Sequence, residues 1–298
     1  MPSSPRLRLS QPFSLKFEAI GTSWTIEVYE AYDRLGDLQK SIQQRIAAFD
    51  HVYSRFRADS VVAQIAREAG NYRLPDDAAP MFNLYQQLYD LTDGAMTPLI
   101  GQALSDAGYD ASYSLQPMPI RSVPAWQEVM TYDGATLTAK RPVLLDFGAA
   151  GKGYLIDLVA QIMVQADVRH YSIDAGGDIV TVGQTLNVGL EHPDNLNQVI
   201  GVAQITQGSI CGSAGNRRRW ATYHHVIDPH SLTSPKHIKA LWVTAPTALV
   251  ADGLATALYF APADSLRRYF EFEYAIMHED YSLVSSPGFP AQFFGADS

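Results

Sequence analysis

Asp252 and Thr256 stand four residues apart in APTALVADGLATALYF, a spacing that puts a carboxylate and a hydroxyl on one helix face, a turn apart. Their neighbours are Ala, Leu, Val and Gly, so the aspartate must face water, find a partner or bind a cation. One carboxylate and one hydroxyl make a poor zinc set but suit magnesium, which takes hard oxygens and completes its shell with water and phosphate oxygens. The alternative is structural, with Asp252 bonding a buried backbone group or a neighbour. HHVIDP (224–229) adds two imidazoles and a carboxylate before a proline turn. In an extended chain His225 and Ile227 share one face, and His224, Val226 and Asp228 the other. His225 can then act as a general base near neutral pH, the alternative being an ordinary core or surface histidine. IDAGGD (173–178) carries Gly176 and Gly177, which allow close backbone approach to a flat or phosphorylated ligand or simply a positive-φ turn.

LLDFGAAGKGYLID (144–157) reads as strand, glycine turn and helix, with Lys152 inside the turn. Leu155, Leu158, Val159, Ile162 and Ala166 recur at the spacing of one buried helix face. Such a turn either brings backbone N–H groups close to an anion or serves only as a tight connection. It is neither of two familiar phosphate loops. Asp146 and Gly153 occupy places where a P-loop needs Gly and Ser or Thr, and Ile156 stands where GxGxxG needs its last glycine.

The elements that must position these groups belong to a chain of 298 residues, 47% hydrophobic and 18% charged, enough for a sizeable core. A net charge of -9 argues against a nucleic-acid surface, so an anionic ligand needs local devices to hold it. Arg217, Arg218 and Arg219 are the one basic cluster, read as a solvated loop or as a phosphate contact. Cys211 is the single cysteine, which rules out an internal disulfide and fits a reducing compartment. MPSSPRLRLSQPFSLKF lacks the apolar run of a signal peptide, and no stretch approaches the ~18 apolar residues of a membrane span. The expectation is a cytoplasmic protein, or a periplasmic or membrane-anchored one if a leader has been trimmed.

Along the chain, KFEAIGTSWTIEVYE suggests two strands broken at Gly21 and Thr22, followed by helices from about residue 34 to 53, after Asp59 or Ser60, and over 78–93. Residues 98–124 read as irregular. RHYSIDAGGDIVTVGQTLNVGLEH reads as a strand, a double-glycine turn and a hairpin around Gly183 and Gln184. Strands over about 199–205 and in LWVTA follow, then a helix from Thr247 to about Phe260. Strands that form hairpins as well as alternate with helices predict an α+β fold with a mixed, sheet-rich core rather than a doubly wound parallel sheet. The expected organisation is a tail over 1–14, one domain over 15–285 with a helical part to about residue 125 packed on a sheet-rich part, and a tail over 286–298.

Taken in order, D-x-G-x-x-G-K-G-Y-x-x-D, I-D-A-G-G-D, H-H-x-I-D-P and A-P-T-A-x-x-A-D-x-x-A-T-A resemble the ApbE-type family of FAD:protein FMN transferases. Upstream, IGTSWTIEV, YSRFRADSVVAQI and DGAMTPLIG are similar to family segments. The resemblance implies a T-fold-like architecture, FAD and Mg²⁺ as substrate and cofactor, and transfer of FMN to a threonine of a target flavoprotein with release of AMP. Some members instead hydrolyse FAD to FMN and AMP, and a module that binds FAD without transfer is the rival reading. The match implies magnesium on the Asp252 and Thr256 side chains and the Ala149 carbonyl. It implies FAD beside Ile20, Phe56, Ala95, Met96, Thr97, Asp146, Lys152, Gly176, Gly177, Ile227 and Asp228, with His225 as the catalytic proton acceptor. At Thr97 the family commonly has aspartate.

Overall fold

The alternating pattern of KFEAIGTSWTIEVYE folds into a hairpin in the computed structural model, which describes residues 8–215 and 218–295. β1 (Arg8–Ala19) and β2 (Thr22–Glu30) pair antiparallel with Ala19 opposite Thr22, so the turn is Ile20 and Gly21, one residue before the expected Gly21 and Thr22, because Thr22 already pairs in the ladder. Both have positive φ, 46° and 76°, which matches the right-handed strand twist but is an unusual conformation for a β-branched residue such as Ile20.

α1 (Leu35–Tyr53) buries Leu38, Ile42, Ile46, Phe49 and Tyr53 at helical spacing. α2 (Val61–Ile65) is a short helix whose cap is Ser60, its Oγ accepting from Ala63 N–H at 3.0 Å. β3 (Gly70–Arg73) and α3 (Ala79–Leu91) follow. Residues 98–124 are less irregular than their composition suggests. A 3₁₀ turn (Pro98–Ile100), opened by proline at its first position, runs into α4 (Gly101–Asp106). α5 (Trp126–Val129) then leads to β4 (Met130–Tyr132) and β5 (Thr136–Ala139), which form a small sheet with β3.

The run before Lys152 is a correction. Val143 and Leu145 are buried and Leu144 partly so, but the run belongs to no strand, because the Val143 and Asp146 N–H groups go singly to Ile65 O and Pro98 O instead of to a ladder. Apolarity there reports packing, which periodicity cannot tell from pairing. The helix does form, as α6 (Gly151–Gln165). β6 (Tyr171–Ala175) and β7 (Asp178–Val182) make the double-glycine hairpin, whereas the expected hairpin at Gly183 and Gln184 is absent. Gly183 turns against Arg169 O, and β8 (Leu186–His192) crosses to another sheet to pair with β9 (Asn195–Ile205).

β10 (Gly208–Ala214) re-enters the main sheet, and two short strands, β11 (Arg219–Trp220) and β12 (Tyr223–His224), lead towards the proline turn. β13 (Ile238–Ala245), α7 (Ala248–Ala257), α8 (Ala263–Leu266), β14 (Glu273–His278), β15 (Leu283–Ser285) and β16 (Ala291–Phe293) complete the order. The main sheet runs β1-β2-β6-β7-β10-β13-β14-β15, every neighbour antiparallel, so the fold is α+β as expected.

Alternation along these strands sends side chains to two cores. Trp24, Ile26, Ile173, Cys211 and Val243 pack beneath α1, α3, α6 and α7, in a cluster that runs from the first hairpin to Ile276. Ile179, Ile210, Ala240 and Trp242 face the other way, under the three-stranded sheet β16-β9-β8. No helix among the described residues is long and apolar enough to cross a membrane.

Candidate active site

α6 and α7 cap one another, and this fixes the groups read from the two motifs. Asp157 of α6 accepts from the Ala248 and Leu249 N–H groups at 2.9 and 2.8 Å, satisfying two orphan donors at the start of α7. In return Asp252 of α7 accepts from Gly153 N–H at 2.8 Å through Oδ2, so its structural role is real for that oxygen. The crossing is close: a Cβ on Gly153 would lie 2.2 Å from Ala248 O and 2.7 Å from Asp252 Cβ. Burial pushes the Asp157 carboxyl up to about 6, against the pull of its two backbone donors.

Lys152 points from the first turn of α6 to the end of the main sheet. Its Nζ pairs with the buried Asp178 carboxylate and donates to Ala175 O at 3.1 Å. Asp178 also accepts from Gly212 N–H at 3.2 Å. Burial opposes the Lys152 ammonium, but the Asp178 and Asp252 carboxylates outweigh it and hold its pKa above the ordinary lysine value. Asp252 is raised, first by desolvation and then by Asp178. Two carboxylates therefore share one lysine in a largely buried space, so Asp252 is held protonated at neutral pH and ionises there only when a second cation joins the lysine.

The β6–β7 turn is built for close approach. Gly176 and Gly177 have φ of 67° and 94°, and a Cβ on Gly176 would meet Thr22 Oγ1 at 2.0 Å. The tip carrying Ile20 and the tip carrying Gly176 thus lie side by side, next to Ala175 and Lys152. Ala149 precedes Ala150, the residue that caps α6, and Ala150 packs across from Gly253 beside Asp252.

Asp146 leads a second group. Its carboxylate receives the Arg55 guanidinium, which is buried, and accepts from Gly148 N–H at 2.7 Å, shaping the turn before α6. Arg55 lies 4.2 Å from the ring centroid of Phe56 and 4.9 Å from that of Tyr109. Ala95, Met96 and Thr97 are buried nearby, and Thr97 Oγ1 accepts from Leu99 N–H at 3.2 Å, capping the 3₁₀ turn whose Pro98 O holds Asp146 N–H.

The two histidines separate. His224 is locked, its Nε2 bonded to Pro235 O at 2.8 Å and its Nδ1 accepting from Val226 N–H at 3.2 Å. His225 is half-buried with Nε2 3.5 Å from Ser213 Oγ, and its Nδ1 has no partner among the described residues. Burial, then His224, Arg218 and Lys152, press its pKa down to about 3, so the imidazole is neutral. Ile227 packs with Tyr109 and Trp220 in a small cluster. Asp228 accepts from His230 N–H and Ser231 Oγ at 2.9 Å each, inside its own turn, and His230 ties that turn to Asp93 O. Of the arginine cluster, Arg218 donates to Tyr109 OH at 3.2 Å, while Arg217 lies outside the described residues.

The structure therefore brings Ile20, Gly176, Gly177, Lys152, Ala149 and Asp252 to one place, with Thr256 a turn further along α7 and Asp146, Phe56 and residues 95–97 joined to it through the 146–153 turn. Three partners escaped the sequence reading: Asp178, Arg55 and Asp157. Each stood inside a quoted motif, as the last letter of IDAGGD, the arginine of YSRF and the last letter of LLDFGAAGKGYLID, and a charged residue in an otherwise apolar or glycine segment was the available signal.

Comparison with known proteins places this arrangement among relatives. The profile described as the ApbE family matches residues 20–277. A protein named FAD:protein FMN transferase from Salmonella typhimurium (strain LT2) is 27% identical over 271 residues, spanning 82% of this chain and 77% of its own. One of the same name from Treponema pallidum (strain Nichols) is 26% identical over 280 residues, spanning 80% and 76%. The crystal structure of the ApbE protein from Thermotoga maritima MSB8 superposes with a TM-score of 0.79 at 22% identity, over 93% of this chain and 97% of that one. Flavin Transferase ApbE from Vibrio cholerae gives 0.76 at 19%, over 94% and 98%. At those identities the two structures speak for the fold.

Proposed function

The chain belongs to the ApbE family, and from that premise we propose that it transfers FMN from FAD to a threonine hydroxyl of a target flavoprotein, with magnesium, releasing AMP. The relatives' shared name supports the transfer. The observation that carries it is the half-buried Lys152 between buried Asp178 and Asp252, a group whose second carboxyl lacks a counter-cation, set between the glycine turn of β6–β7 and the start of α6.

The donor set fits magnesium. Among the described residues no cluster of three or more His, Cys, Asp or Glu side chains is placed to hold a metal. The Asp252 carboxylate, the Thr256 hydroxyl and the Ala149 carbonyl are hard oxygens, few enough to leave room for water and phosphate ligands. Bound there, magnesium would supply charge neutralisation at the pyrophosphate. Lys152 holds a phosphate oxygen by charge, at the start of α6, where the helix dipole favours anions.

Transfer breaks the phosphoanhydride bond of FAD and forms a phosphoester to the threonine oxygen. AMP takes the bond electrons, and the hydroxyl proton leaves to a base. His225 Nε2 is our acceptor for that proton: the ring is neutral, and an anionic substrate beside it raises its depressed pKa towards a useful range. Incubation with FAD, Mg²⁺ and a threonine-bearing peptide tests the reading. A peptide mass gain equal to FMN with matching AMP is the expected result. AMP with unlabelled peptide would point to hydrolysis, and neither product from a protein that retains FAD would leave a binding module.

A further inference from the structure

A cleft of about 430 Å³ opens on the face of the main sheet turned away from Lys152 and Asp252. Thr25 and Glu27 of β2, Ser172 and Asp174 of β6 and Gly212 of β10 line one wall, and Leu186, Asn187, Val188, Gly189 and Glu191 of β8 line the other. Its inner end reaches Gly176, Gly177 and Ser213. These same residues bound the candidate site from behind: Ser213 Oγ is 3.5 Å from His225 Nε2, and Gly212 N–H bonds Asp178. Glycines leave that partition one backbone thick. Cleft and candidate site are thus the two sides of one wall, met at the ends of β6, β7 and β10.

Its walls specify an occupant. Glu27, Asp174 and Glu191 line it, and no lysine or arginine does among the described residues. Glu27 is held by Tyr29 OH at 2.5 Å, and Asp174 by Gly177 N–H at 2.8 Å, so both carboxylates are fixed in place. This field repels a pyrophosphate and attracts a cation. β8, moreover, is the terminal strand of the β16-β9-β8 sheet. A terminal strand presents a backbone edge to which an extended segment can add.

We propose that this cleft receives the acceptor polypeptide, as an extended segment bearing lysine or arginine that lies along β8 and carries its hydroxyl past the Gly176–Gly177 tip to Ser213 and His225. The inference rests on the flavin-transfer reading for the identity of the polypeptide, and adds to it the side of entry and the chemistry of the flanking residues. FAD and acceptor then approach from opposite faces.

The test is anisotropy of three fluorescein-labelled threonine peptides with the unaltered protein: one with flanking lysines, one with glutamates in their place, and the lysine peptide methylated on alternate backbone nitrogens. The lysine peptide should bind about tenfold tighter than the glutamate one and lose that margin in high salt. Methylation should weaken it, and the double variant Glu27→Gln, Glu191→Gln should bind both unmethylated peptides alike while releasing AMP from FAD at the unaltered rate. Equal binding of lysine and glutamate peptides by the unaltered protein would overturn the proposal. So would an undiminished lysine preference in the double variant, or in Glu191→Gln alone should the double variant melt early. AMP release is read in parallel: its absence sinks flavin transfer, whereas its presence without lysine preference sinks the cleft alone.

Discussion

Asp252 sits where burial and Asp178 make its negative charge costly, and Lys152 offsets only one of the two carboxylates. Asp252→Asn removes the ionisable group while keeping an oxygen for Gly153 N–H. We expect magnesium-dependent AMP release from FAD to fall by roughly 10²- to 10³-fold, while the melting temperature near neutral pH holds, since the buried carboxyl is protonated there and an amide of the same shape replaces it without a change of charge. A melt run beside the assay checks both. His225 gives the opposite kind of signal. Its folded pKa, about 3, lies below its unfolded value, so below about pH 6.5 the unfolded chain takes up a proton that the folded one refuses, and stability falls with acidification. Asp157, raised to about 6, acts in the other sense, losing stability as pH rises from about 4 to 6. Melting curves of His225→Gln against the unaltered protein between pH 5 and 7 should therefore converge at the alkaline end and separate at the acid end, the variant melting higher there.

At the scale of elements the α6–α7 crossing holds the site together. Gly153→Ala would drive a Cβ into Ala248 O and Asp252 Cβ, costing about 1–3 kcal/mol by overpacking. It should also move Lys152 away from Asp252, so activity falls further than the few degrees lost in melting temperature would suggest. Asp157→Ala removes both bonds at the start of α7, at about 1–2 kcal/mol, and leaves room at the crossing. A loss of FAD turnover in Gly153→Ala that Asp157→Ala does not share would assign the effect to spacing rather than to helix stability.

On the scale of the whole molecule, one sheet carries two unlike faces, helices over the first core and a small sheet over the second. The core beneath the helices includes residues from β2 to β14, on both sides of residue 125. We expect one cooperative transition in calorimetry rather than separate melting of a helical and a sheet part. FAD with Mg²⁺ should raise that transition, by about 2.7 kcal/mol of stability at a hundredfold excess over Kd. Mg²⁺ chelation should cancel most of the gain, and a rise of the same size with chelator present would count against Asp252 and Thr256 as ligands.

What could be read without coordinates was whatever depends on near neighbours in the chain. A strand break near Gly21, the hydrophobic stripe of α6, the helix starts near Ser60 and Thr247 and the shared helix face of Asp252 and Thr256 all follow from spacings of a few residues. So did the motifs, because each is a contiguous string. Only the folded chain could decide which strings meet. Lys152 finds Asp178 across 26 positions, Arg55 finds Asp146 across 91, and Asp252 caps Gly153 across 99. It also decided that residues 143–145 pack rather than pair and that β8 leaves β7 for another sheet, since burial and strand choice depend on partners distant in the sequence. Local preference selects an element, but charge balance in a buried site is settled by long-range contacts.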